Sequence, residues 1–213
     1  MTSILGPTLG QDNLSQNIST AAKILQNSGL VAFPTETLYG LGADATNDDA
    51  VISVYKAKKR PIDKPLMVLI ENIEEAANYV IINDYASVLA NHFWPGPITL
   101  IFKQRRDSPL SHHLSPKGST IALRVPGNRI ARQLIKATGS PLTGPSANVA
   151  GFTPPKKAQE VLESLDGRID AILDGGECPG HESTLIDISN VKPRILRQGI
   201  IRRQEIEGVL GPL

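Results

Sequence analysis

Short apolar runs that alternate with helix-forming segments are the feature that most constrains how this 213-residue chain folds. Each run is bounded by polar or turn-forming residues, which is typical of a buried strand. The predicted strands are Leu30–Phe33, Leu66–Ile70, Ile98–Phe102, Ile121–Val125, Ile169–Leu173 and Leu185–Ile188, with a shorter one near Ile195. The predicted helices are Asp48–Lys58, Ala86–Phe93, Arg129–Ala137, Lys157–Leu165 and Gln204–Leu210. This alternation predicts an α/β protein with a twisted sheet flanked by helices, and the close spacing of the last strands indicates a mixed sheet.

Composition narrows the function classes. With 40% hydrophobic and 20% charged residues, one domain spanning residues 1–213 is expected. A net charge of +1 excludes a wholly basic nucleic-acid-binding surface, although a local basic cleft remains compatible with it. Cys178 is the single cysteine, which rules out an intrachain disulfide and suits a reducing cytoplasm. Residues 1–14 lack the pattern of a secretory signal, and no apolar run is long enough for a membrane span.

Two polar segments follow predicted secondary structure near the start of the chain. Phe33–Gly42 leads from a strand into a turn rich in threonine and glycine, which either binds a ligand or merely caps local backbone groups. Lys56–Arg60 carries four cations, and Pro61 predicts that the helix ends near Lys59. With the helix broken there, Lys58 and Arg60 are expected to turn toward one anion, unless the cations only stabilise the helix end.

Two further segments contain polar residues that could bind a ligand. Arg124 interrupts the apolar run Ile121–Val125, so it either pairs with an internal carboxylate or points into a cleft to hold an anionic ligand. In Pro141–Asn148, an extended backbone would direct Ser146 and Asn148 to the same side, where they could bind phosphate oxygens or a metal-bound water. The alternative is a turn and a cap for the helix at Lys157. His112 and His113 belong to the polar segment Gln104–Gly118 and are expected to be exposed.

Seven motifs in order together resemble the YrdC-like threonylcarbamoyl-AMP synthase family, in its short single-domain form. They are Pro34–Gly42, Lys58–Pro61, Trp94–Leu100, Ala122–Pro126, Pro145–Asn148, Glu182–Thr184 and Leu196–Gly199. The resemblance implies a twisted α/β fold with a concave electropositive cleft. It also implies synthesis of threonylcarbamoyl-AMP and pyrophosphate from L-threonine, bicarbonate or CO2, and ATP with Mg²⁺. A tRNA threonylcarbamoyl transferase complex would then modify the adenosine beside the anticodon.

The resemblance assigns roles residue by residue. The expected catalytic tetrad is Lys58, Arg60, Ser146 and Asn148. ATP contacts are expected from Arg60, Lys64, Thr120, Ser146 and Arg197. Threonine contacts are expected from Thr35, Thr37, Arg124, Gly144 and Ser183, with no protein side chain assigned to the magnesium ion. The sequence departs from the family pattern at Leu69, Ala150, Pro154 and Gln198. With the sequence read to Leu213, the additional C-terminal domain of longer relatives is not expected.

Two other functions are compatible with parts of this pattern. One is an RNA-binding module, for tRNA or double-stranded RNA, that uses the cations from Lys56 to Lys64; its weakness is an aromatic content of only 4% for base stacking. The other is a paralogue that carbamoylates a different acceptor. Neither reading predicts pyrophosphate release that requires both threonine and bicarbonate.

Overall fold

The structure is a computed structural model that describes residues 1–6, 11–116 and 118–213, with only the backbone described for residues 11 and 12. Residues 7–10, in the segment searched for a secretory signal, and Lys117, in the predicted polar loop, lie outside this description. The described helices are α1 (Gln11–Gln26), α2 (Asp48–Lys58), α3 (Ile73–Ala76), α4 (Asp84–Phe93), α5 (Arg129–Thr138), α6 (Ala158–Leu165) and α7 (Arg203–Leu210). In this part of the chain, no helix combines the length and apolar character that a bilayer span needs.

In the described residues, ten strands form two sheets where we predicted one. The strands are β1 (Ser3–Leu5), β2 (Val31–Pro34), β3 (Tyr39–Gly42), β4 (Val68–Leu69), β5 (Ile98–Lys103), β6 (Thr120–Arg124), β7 (Leu142–Thr143), β8 (Ala171–Leu173), β9 (Thr184–Asp187) and β10 (Arg194–Arg197). The first sheet has the order β1-β8-β2-β3 and the second β10-β9-β5-β6-β4-β7. Both mix parallel and antiparallel pairs, so the α/β class with mixed sheets flanked by helices is confirmed.

The two sheets meet along β3. Beyond its pairing with β2, β3 bonds to the segment that continues from β7: Leu41 N donates to Pro145 O over 2.7 Å, and Ala147 N to Tyr39 O over 2.8 Å. Thr143 is fully buried, accepts from Ala43 N and donates to Leu41 O. This junction, which we call the seam, places the turn after β2 opposite the strands of the second sheet.

Helix α2 shows how local sequence positions part of the site. Asn47 caps its start by accepting from Ala50 N, and Asp48 and Asp49 occupy the first turn. At the other end Lys59 adopts a left-handed conformation with φ 49°, and Arg60 N donates to Tyr55 O. The predicted end of the helix near Lys59 is confirmed, and the chain turns sharply so that Arg60 leaves the helix axis.

Candidate active site

A cleft of about 390 Å³ opens where the seam joins the two sheets. Its lining combines apolar side chains with hydroxyl groups, three arginines and one carboxylate. Eight of the twelve predicted site residues line it, namely Thr35, Thr37, Arg60, Arg124, Gly144, Ser146, Ser183 and Arg197. The fold therefore brings six separate segments of the sequence to one concave surface.

Arg124 lies in an apolar strand, where we expected it either to pair with an internal carboxylate or to point into a cleft. In the structure it pairs with Glu36 and also lines the cleft. It ends β6 with 3% of its surface exposed, and Nη2 donates to Oε1 of Glu36 over 2.6 Å. Nη2 also donates to Oγ1 of Thr37, and Nε donates to the carbonyl oxygen of Gly96. Nη1 has no hydrogen-bond partner within the described residues. The bonds of Nε and Nη2 therefore fix the guanidinium, while part of it faces the cleft. Such a group suits a carboxylate ligand.

The two threonines of the first motif have different surroundings. Thr35 Oγ1 accepts from the backbone N–H groups of Thr37 and Leu38 and donates to the carbonyl oxygen of Leu38. Because that uses the only hydroxyl hydrogen of Thr35, Thr37 is the donor in the 2.7 Å contact between the two hydroxyls. Thr35 thus holds the turn, as in the capping alternative, and orients Thr37 beside Arg124.

Arg60 and Lys58 diverge at the end of α2. Arg60 lies at the cleft, where Nη2 donates to Pro65 O and Nε lies 3.4 Å from Lys64 O. Lys58 is 2% exposed and its Nζ donates to the carbonyl oxygens of Ser146 and Asn148. The expectation that both cations turn toward one anion is therefore wrong for Lys58 in this structure. Burial, and then the charge of Arg60, lower the pKa of Lys58 to about 7.

The backbone around Ser146 is turned rather than extended, because Asn148 N donates to Ser146 O. Ser146 consequently lines the cleft, whereas the Asn148 side chain is buried and donates to the carbonyl oxygens of Val149 and Phe152. The predicted projection of both side chains to one side is wrong for this reason. Lys58 instead holds the Ser146 turn through the carbonyl oxygens of Ser146 and Asn148, and the Asn148 side chain holds the segment that follows the turn.

The opposite wall comes from β5, β9 and β10. Ser183 is buried with its Oγ 2.8 Å from Thr99 Oγ1, and it accepts from Nη2 of Arg197 over 3.2 Å. Arg197 also forms a 2.9 Å ion pair with Glu182, and its side chain is 39% exposed. Arg197 is therefore accessible at the rim, with its orientation set by three contacts on one side.

Thr120 and Lys64 are outside the described cleft lining. Thr120 begins β6, opposite Lys103, and is half-buried. Lys64 is exposed, and its carbonyl oxygen accepts from the Tyr55 hydroxyl over 3.0 Å. Their assignment to ATP stays a prediction.

Sequence reasoning overlooked two residues of this site. Glu36 is the internal carboxylate that Arg124 required, and its position between the two threonines was the available signal. Thr99 interrupts an apolar strand in the same manner as Arg124, and it lines the cleft beside Ser183. Thr99 was therefore detectable as a polar residue in apolar surroundings.

Comparison with known proteins identifies the family. The model named for Sua5, YciO and YrdC, described as "Telomere recombination", matches residues 23–199. The chain belongs to this family. It is 43% identical to the threonylcarbamoyl-AMP synthase of Bacillus subtilis over 95% of the chain and 60% of that protein. It is 40% identical to that of Pyrococcus abyssi over 92% of the chain and 58% of that protein.

A solved structure of this family has the same fold. The crystal structure of P. abyssi Sua5 complexed with L-threonine superposes with a TM-score of 0.91 at 37% identity. The match covers 99% of the chain and 61% of the Sua5 chain. The chain thus spans about three fifths of the length of these family members.

Proposed function

We propose that this family member synthesises threonylcarbamoyl-AMP from L-threonine, bicarbonate or CO2, and ATP. The observation that carries the proposal is the assembly of Arg60, Arg124 and Arg197 with the Ser146 hydroxyl around one cleft. Two anionic substrates, an amino acid and a nucleotide, require such a set of donors. The names of the B. subtilis and P. abyssi relatives support the same reaction.

Threonine binds, in this proposal, at the Arg124 end of the cleft. The unbonded Nη1 of Arg124 would donate to the threonine carboxylate, and the Thr37 hydroxyl lies beside it. Gly144 and Ser183 would complete the pocket on the other side. The crystal structure of P. abyssi Sua5 with L-threonine supports a threonine site in this fold.

ATP binds along the Arg60, Ser146 and Arg197 side, with Lys64 and Thr120 as further contacts outside the present lining. The only carboxylate in the cleft lining of the described residues is Glu182, which is paired with Arg197. Since Mg²⁺ usually combines few carboxylates with substrate phosphates and water, this donor set fits magnesium that enters as part of MgATP.

The reaction needs positioning more than a protein nucleophile. The threonine amine and CO2 give a carbamate, whose oxygen attacks the α-phosphorus of ATP while the bond to pyrophosphate breaks. Arg60 and Ser146 would stabilise the charge that develops on the phosphoryl oxygens. Lys58 would act through Ser146, as a positioning residue, because its Nζ donates to the carbonyl oxygens of Ser146 and Asn148. Asn148 would position the segment after this turn, where its side chain donates to the carbonyl oxygens of Val149 and Phe152.

The proposed product serves tRNA modification, so the proposed partner is a tRNA threonylcarbamoyl transferase complex in the cytoplasm. The relatives do not favour the RNA-binding module or the paralogue with another acceptor as the main function. Weak binding of tRNA or double-stranded RNA would accompany the synthase rather than replace it.

Pyrophosphate release from the purified chain tests the proposal. We expect release to require both L-threonine and bicarbonate, and mass spectrometry to find threonylcarbamoyl-AMP. Arg60→Ala and Arg124→Ala should nearly abolish the product, whereas Arg105→Ala, in an exposed loop, should match the unmodified chain. Pyrophosphate release that is indifferent to threonine would overturn the assignment.

A further inference from the structure

Outside the cleft, one cluster of metal-ligating side chains has no part in the proposed reaction. It joins Asp48, in the first turn of α2, to His112 and His113, in a 3-10 turn that packs against this helix. One ligand atom from each residue lies within 4.8 Å of the other two. We propose that these three side chains bind one divalent transition-metal ion of the zinc class.

The distances fit such an ion. Nδ1 of His112 and Oδ2 of Asp48 are 3.5 Å apart. Two ligands at about 2.1 Å from a tetrahedral zinc ion are separated by about 3.4 Å, so this pair already has the required spacing. The two imidazole rings lie with their centroids 3.8 Å apart, and a ligand atom of each lies within 4.8 Å of the other and of the Asp48 carboxylate. Binding would rotate the side chains so that the three ligand atoms point to one ion.

Ser111 organises the cluster as outer-shell residues do in metal sites. It is 4% exposed, and its Oγ donates to Oδ1 of Asp48 over 2.6 Å while accepting from the backbone N–H of His113. This bond orients the carboxylate so that Oδ2 faces His112. The backbone of the turn is also anchored, because the Tyr55 hydroxyl lies 2.8 Å from His113 O and Leu66 N donates to Leu114 O.

Charge and access favour a cation here. The cluster borders a surface cavity of about 500 Å³ whose lining includes the carboxylates of Asp48 and Asp49 and contains no lysine or arginine among the described residues. The His112 and Asp48 side chains are 74% and 50% exposed, so an ion reaches them directly and keeps an open coordination position for water. Two imidazoles with one carboxylate select zinc-class ions over Mg²⁺ and Ca²⁺, which prefer all-oxygen ligand sets.

Isothermal titration of the untagged full chain with Zn²⁺ tests the proposal. We expect one equivalent to bind, with at least a tenfold loss of affinity in each of His112→Ala, His113→Ala and Asp48→Asn. His92→Ala is the matched control, because His92 is an exposed histidine on α4, away from the cluster, and should bind zinc like the unmodified chain.

A second measurement avoids substitutions. Co²⁺ added to the unmodified chain should give the visible bands of a low-coordinate site, and NMR should show the ring nitrogens of His112 and His113 shifting while those of His92 and His181 do not. Zinc affinity that is unchanged in both His112→Ala and His113→Ala, or ring shifts confined to the other histidines, would overturn the proposal. Absence of binding by the unmodified chain would overturn it as well.

Discussion

Oε1 of Glu36, in the turn between β2 and β3 of the first sheet, lies 2.6 Å from Nη2 of Arg124, which ends β6 in the second sheet and has a side chain that is only 4% exposed. The second carboxylate oxygen of Glu36 accepts from the backbone N–H of Asn128, at the start of α5. An arginine buried without a partner is strongly unfavourable. Glu36 therefore compensates the charge and fixes the side of the guanidinium that faces away from the cleft.

Replacing Glu36 by glutamine should lower the free energy of unfolding by about 1–3 kcal/mol, because the buried Arg124 loses its anionic partner. Urea denaturation at neutral pH measures this directly. Asp107→Asn, which breaks the exposed pair with Arg105, should leave the unfolding midpoint unchanged. Equal midpoints for Glu36→Gln and the unmodified chain would show that the Arg124 charge is compensated elsewhere.

Arg124→Lys keeps the charge but removes the planar fork, and we expect the KM for threonine to rise by about 10–100-fold. The KM for ATP should change far less, since Arg124 is assigned to the amino acid. Steady-state pyrophosphate release at varied threonine and at varied ATP separates the two effects. A rise confined to the KM for ATP would reverse the assignment of the two ends of the cleft.

Gly144→Ala should destabilise the fold and weaken threonine binding, because a Cβ at this position would lie 2.6 Å from Cγ of Leu69. We expect a loss of about 1–3 kcal/mol in the free energy of unfolding. Adding Leu69→Ala should recover part of that loss, which a double-mutant cycle detects. Gly208→Ala is the control: a Cβ there meets nothing within 4 Å on helix α7, so stability should hold or rise.

Lys58 should make stability depend on pH. Its pKa falls from 10.5 to about 7 on folding, so between these values the unfolded chain holds a proton that the folded chain has released. The free energy of unfolding contributed by this residue therefore rises with pH across that window, by up to a few kcal/mol.

Comparison with Lys58→Met isolates this effect, because groups that titrate identically in both proteins cancel in the difference. Urea denaturation at pH 7 and at pH 9 should show a steeper rise for the unmodified chain than for Lys58→Met. Parallel pH profiles would mean that Lys58 stays charged in the folded state, through its bonds to the two carbonyl oxygens.

The sequence was sufficient to predict the bounds of an element where the residues at both of its ends strongly favour those positions. Helix α2 begins at Asp48 and ends at Lys58 as predicted, because Asn47, the two acids, the terminal cations and Pro61 all favour those bounds. Arg124 was also identified correctly as an anomaly in its strand, since a buried cation always needs an explanation.

Other helices and strands are stabilised by contacts with distant parts of the chain, which the local sequence pattern does not indicate. Helix α1 was overlooked because its apolar face is sparse: Ile18, Ala21, Ala22 and Leu25 are its buried residues in the described part. Strand β3 contains two glycines and was interpreted as a turn, yet it is fully buried and pairs with β2 from Val31 to Pro34. Only the partner strand reveals it as part of a sheet.

For the candidate site, it was harder to predict where a side chain points than to predict which residues belong to the site. The prediction for Asn148 assumed an extended backbone, and one hydrogen bond between its N–H and Ser146 O redirects the side chain. Lys58 was expected to turn toward the same anion as Arg60 because the helix breaks between them, but the left-handed Lys59 directs the two side chains apart. Such effects arise from single dihedral angles, which composition and spacing do not encode.

The seam has a thermodynamic consequence for any occupant of the cleft. Thr37 belongs to the turn after β2, in the first sheet, whereas Arg124 and Ser183 belong to the second, so a molecule that touches all three joins the two sheets. Its binding energy then adds to the few backbone bonds that Leu41 and Ala147 make across the seam. A saturating ligand should consequently make the two sheets unfold as a more cooperative unit and at a higher temperature.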